Sequence, residues 1–83
     1  MDGARLLGGP VKDAVLNLLP RELVERHLVV PVRRNGDTLV VVMANPRNTE
    51  ALDAIAEETG LHVQAHHADE FDITAAIVRF YRA

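Results

Sequence analysis

The dipeptide Asn35-Gly36 separates two runs of branched aliphatic residues, Leu28 to Arg34 and Asp37 to Ala44. A two-residue connection of type I′ needs positive φ at both central positions, and Asn-Gly tolerates both. The two runs are therefore predicted to be neighbouring antiparallel strands. Pro31 has no N–H to give to a ladder, so the first strand is placed at a sheet edge. The second strand, D-T-L-V-V-V-M-A, is apolar on both faces. Leu39, Val41 and Met43 alternate with Val40 and Val42, a pattern that belongs to a central strand covered on both sides.

The flanking segments read as helices and one more strand. Val11, Ala14, Val15 and Leu18 recur at helical spacing, and a second short helix over 20–27 starts with Pro20 at its first position. After Asn45-Pro46, Asn48 or Thr49 caps a helix whose inner face carries Leu52, Ile55 and Ala56. Gly60 ends it, as a residue free to take positive φ. A third strand runs roughly from Leu61 to His66. It follows a helical connection, so it should lie parallel to the second with a right-handed crossover. Asp69 opens the last helix, with Ile73, Ala76, Ile77 and Phe80 as its core stripe.

The expected fold is α+β, a single small domain in the order α-β-β-α-β-α. Its three-stranded sheet is an antiparallel hairpin plus a parallel strand reached by the helical crossover. Residues 1–9 hold three glycines and no period, and are predicted to be a flexible leader to a domain spanning 10–83.

At 83 residues with no cysteine, the chain excludes a disulfide scaffold, a thiolate zinc site and a cysteine nucleophile. Serine is absent too, and the threonines have no neighbouring base. Nine Lys and Arg stand against twelve Asp and Glu, so no charge excess points to nucleic acid. No apolar run approaches the roughly 20 residues of a membrane span, and no signal peptide is evident. The expected compartment is cytoplasmic.

Two clusters invite chemistry. His62 and His66 share one face of the third strand, but four residues of strand separate them by about 13 Å, too far for one metal ion. They read as solvated histidines. The carboxylates Glu50, Asp53, Glu57 and Glu58, and then Asp69, Glu70 and Asp72, lie on open helix faces and helix N-termini, where they are solvated and favour the dipole. Neither a catalytic constellation nor a phosphate loop emerges, and no cofactor is expected.

Partner docking is the remaining reading. Two or three short helices are scant cover for a sheet apolar on both faces, and exposed apolar surface marks an interaction site. Val40 and Val42 are candidates on that ground, the alternative being that the N-terminal segment closes the gap. Arg33 and Arg34 beside the hairpin turn, and Arg47 after Asn45-Pro46, are candidates as small basic patches at opposite ends of the second strand.

The order of signals from Leu18 onward is distinctive. It includes Leu19-Pro20, Val30-Pro31-Val32, Met43-Ala44-Asn45-Pro46, Leu52-Asp53, Thr59-Gly60, Ala68, Ile73 and Tyr81. Over about 65 residues this resembles the N-terminal domain of type II secretion and type IV pilus assembly ATPases, the general secretory pathway protein E N-terminal domain family. The resemblance implies a non-catalytic docking and regulatory module, with the Walker motifs in a separate region. Its implied partner is the cytoplasmic part of an inner-membrane platform, or the ATPase core itself. The module would then be cytoplasmic and peripheral at the inner membrane through that partner. Some relatives bind cyclic di-GMP through paired R-L-G-x-x-L-V-x-x-G-L-I motifs. Here Arg5-Leu6-Leu7-Gly8 is a single broken copy, which makes Arg5 the nucleotide-binding candidate under that alternative.

Overall fold

A computed structural model describes residues 3–81. Met1, Asp2, Arg82 and Ala83, the ends of the expected leader and domain, lie outside the described residues. The elements are α1 (Gly3–Leu7), α2 (Asp13–Leu16), α3 (Arg21–His27), β1 (Val29–Asn35), β2 (Thr38–Met43), α4 (Thr49–Thr59), β3 (His62–His67) and α5 (Glu70–Phe80).

The sheet has the predicted topology. The strand order is β1-β2-β3, with β1 antiparallel and β3 parallel to β2. The turn itself differs from the expected type I′ form. Asn35 ends β1 opposite Thr38 without positive φ, so the two connecting residues are Gly36 and Asp37. Gly36 takes φ +61, where its missing side chain avoids the left-handed penalty. All five residues from Leu39 to Met43 on β2 are 0–3% exposed, so both faces of the central strand are covered. Asn48 caps α4 by accepting the Ala51 N–H at 3.2 Å, and Gly60 closes it at φ +70. Thr59 adds a lock there. Its hydroxyl donates to the Ile55 carbonyl at 2.8 Å and accepts the Leu61 N–H at 3.2 Å.

The N-terminal segment differs from expectation. Residues 3–7 of the predicted leader form α1, which packs on α5, β2 and β3. Gly3 makes this approach possible. A Cβ there would overlap the His67 carbonyl oxygen and meet Val42 Cγ1 at 3.0 Å. Leu7 then enters the core at 6% exposure. Composition suggested a leader because glycine usually loosens a chain; here one glycine is the contact point.

The two short helices before the sheet are also trimmed. The first is one turn, Asp13–Leu16. Pro20 sits just before α3 rather than inside it, extended at φ −67 and ψ 148. At the other end of α3, Leu28 takes φ 50 and turns the chain into β1. Asp69 stands at the N-cap of α5, but its side chain makes no cap hydrogen bond.

Candidate functional site

Of the sequence candidates, Val40 and Val42 are corrected first. They are 3% and 0% exposed and contribute to the core, not to a surface. Val42 lies under Gly3, so the N-terminal segment closes the gap over that part of the sheet, the alternative the sequence left open. Arg33, Arg34 and Arg47 are exposed. Arg47 follows the turn at the far end of β2 from the hairpin, where its N–H donates to Asn45 Oδ1 at 3.2 Å.

Arg33 and Arg34 do join other residues. The β1–β2 register pairs Pro31 with Val41 and then Arg33 with Val40, which leaves Val32 as an extra residue, a β-bulge. A bulge bends the strand and re-aims the side chains that follow it. The proline and the bulge both fall on an edge strand, where no further strand pairs, and both discourage one from adding. Just beyond the bulge, Val32, Arg33 and Arg34 line one groove of about 370 Å³ with Pro10, Lys12 and Val15. α2 packs on β1, which is what brings Lys12 to the arginines.

The groove has an apolar floor and three cations at its rim. Arg34 Nε donates to the Gly36 carbonyl at 3.0 Å, which holds that guanidinium beside the turn. None of the three cations is in an ion pair among the described residues; the two ion pairs there, Arg21–Glu25 and Arg26–Glu22, lie along α3. Asp13 and Asp37 are close in sequence but do not line the groove. Sequence reasoning found the two arginines and missed Lys12, Val32 and the bulge.

Two other grooves are present. One lies between α1 and α5 and is lined by Ala4, Leu7, Gly8, Asp72, Ala75, Ala76 and Arg79. Arg79 also donates to the Leu7 carbonyl at 3.3 Å, so this seam is a packing joint. The second runs between α3 and α4, with Glu22, Arg26, His27 and Glu58 among its lining. Arg5 of α1 is exposed, whereas Leu6 and Leu7 beside it pack into the core. His62, Gln64 and His66 follow one face of β3, and Gln64 Nε2 meets His66 Nε2 at 3.4 Å. Among the described residues no three His, Asp or Glu converge as a metal site would need. Nor is any helix there long and apolar enough to cross a membrane.

Known proteins give this geometry a family. Residues 3–83 match the MshEN domain. The chain is 41% identical over 71 residues to the type IV pilus assembly ATPase PilB of Myxococcus xanthus, covering 86% of this chain and 12% of that protein. It is 41% identical over 69 residues to PilB of Thermus thermophilus, covering 77% and 8% respectively. The chain thus spans a small fraction of the length of these relatives. Among solved structures it is similar to MshE with cdg, cyclic di-GMP, at TM-score 0.75 and 25% identity, over 94% of this chain and 63% of that one. It is also similar to the N-terminal domain of XpsE at TM-score 0.73 and 26% identity, over 94% and 61%. The fold read from the hairpin outward and these matches agree: the chain belongs to the MshEN family, the N-terminal domains of type II secretion and type IV pilus ATPases.

Proposed function

We propose that this domain is a non-catalytic docking and regulatory module of a secretion or pilus ATPase. It links the motor to the cytoplasmic part of an inner-membrane platform, or docks on its own ATPase core. It works in the cytoplasm and reaches the membrane only through its partner. The observation that carries the reading is the groove at the hairpin end. There Lys12, Arg33 and Arg34 stand around Pro10, Val15 and Val32 with no ion-pair partner among the described residues. Unneutralised cations around an apolar floor suit an acidic protein segment with an apolar anchor, because charge guides the encounter and buried apolar area holds it. Membership of a family of ATPase N-terminal domains supports the same role.

Isothermal titration calorimetry of the chain against the platform domain and the ATPase core tests this. Binding to one of them, weakened at least tenfold by Arg33→Glu with Arg34→Glu, is the expected result. Equal heats for the variant and the unaltered chain, or none for either, would reject it.

Cyclic di-GMP binding is the second reading, favoured by the similarity to MshE solved with that nucleotide. Arg5 is exposed and would be its contact. The apolar residues of the broken motif are engaged elsewhere, since Leu7 is buried and Leu6 packs against the core. The docking reading therefore has the stronger support.

A further inference from the structure

The most exposed large apolar side chain among the described residues is Phe71, at 77%. It sits in the first turn of α5 within Asp69-Glu70-Phe71-Asp72, and all four residues are exposed. Asp69 does not cap the helix with its side chain, and none of the three carboxylates is in an ion pair among the described residues. An aromatic ring ringed by carboxylates is the chemical complement of an apolar groove ringed by cations.

These two features cannot meet within one chain. The groove lies at the hairpin end of the sheet, beside Arg34 and its partner Leu39. The acidic turn lies at the other end, next to Ala68, whose N–H donates to the Met43 carbonyl at 3.1 Å. Most of the length of β2 separates the two ends, about 13 Å from Leu39 to Met43 at the rise of an extended strand. A contact between them must therefore join two molecules.

We propose that the groove of one copy receives the first turn of α5 from a second copy. This rests on the docking reading of the groove and names its occupant. Phe71 enters between Pro10, Val15 and Val32, while Asp69, Glu70 and Asp72 face Lys12, Arg33 and Arg34. Knob and groove are different patches at opposite ends of the molecule, so the association is head to tail. Such a contact closes into a ring, or grows, according to the rotation between neighbours. The knob is a single turn, so the contact is small and weak, in the range of transient encounters. Its charge dependence makes it sensitive to salt.

Light scattering and sedimentation of the 83-residue chain over a wide concentration range provide the test. The expected result is a mass that rises above the 9.1 kDa of one copy with concentration. Raising the salt should reverse the rise. Arg33→Glu with Arg34→Glu, or Phe71→Ala with Glu70→Lys, should each give a monomer. All four side chains are exposed, so the fold should survive, and circular dichroism checks that.

The decisive sample is an equimolar mixture of the two variants. One retains the knob and the other retains the groove, so the mixture should stop at a one-to-one dimer. A chain that remains monomeric at the highest concentration reached, or a variant mixture that remains monomeric, overturns the proposal. If the chain is monomeric but Arg33→Glu with Arg34→Glu still abolishes binding to a platform domain or ATPase core, the self-contact alone fails. If that binding is also unaffected, the docking reading fails with it.

Discussion

Tyr81 donates its hydroxyl to the Leu16 carbonyl at 3.1 Å, across 65 positions of the chain. Two residues earlier, Arg79 donates to the Leu7 carbonyl at 3.3 Å. Leu7 and Leu16 are the last residues of α1 and α2. The terminal carbonyls of a helix have no partner within it, and helices of five and four residues cannot persist alone. The end of α5 therefore holds the two N-terminal helices in place.

Replacing Tyr81 by Phe removes one of these ties while keeping the ring. Stability in urea should fall by about 0.5–1.5 kcal/mol, the usual net contribution of a hydrogen bond. Hydrogen exchange should speed up first in α2. An unchanged midpoint would show that the bond contributes nothing.

The same tyrosine predicts a pH effect. Burial disfavours the phenolate and pushes the Tyr81 pKa above its ordinary value of 10.0. The folded state then holds its proton where the unfolded state has released it. The contribution is fully present below the unfolded value and is lost as pH rises through the folded one. Thermal melts should show a decline above pH 10 that is smaller in Tyr81→Phe. Identical alkaline profiles would refute the assignment.

Gly3→Ala should cost about 1–3 kcal/mol, as overpacking does, because the added carbon runs into the His67 backbone rather than a side chain that can swing away. Gly9→Ala serves as the control, since nothing lies within 4 Å of its added carbon. If the two variants melt together, α1 is not docked on the sheet.

Asn48→Ala should cost about 1 kcal/mol, the typical loss of a helix cap. A urea titration measures it, and a loss near zero would mean that the bond to the Ala51 N–H is not formed in solution.

Much of this architecture can be read from local chemistry. Gly36 marks the hairpin, though one position earlier in the turn than an Asn-Gly centre implies, Asn48 and Gly60 bracket α4, and the two-faced apolar run of β2 places it in the centre. What escaped has a common cause. The bulge at Val32 inserts one residue without changing the hydrophobic pattern. Gly3 is informative only once His67 and Val42 are known to lie against it. Lys12 joins Arg33 and Arg34 only through the packing of α2 on β1. Whether the N-terminal segment covers the sheet is open in the sequence, because its glycines suggest a loose chain; the approach of Gly3 to Val42 decides it.

The central claim is that the hairpin-end groove is a protein-docking site. Its most direct test is a heteronuclear NMR titration of the labelled chain, first with the platform domain and the ATPase core of its own system, then with cyclic di-GMP. The account predicts shifts with protein at Lys12, Val32, Arg33 and Arg34, and no saturable shifts with the nucleotide. Saturable nucleotide shifts around Arg5, with the groove unmoved by either protein, would contradict it and make the domain a second-messenger sensor.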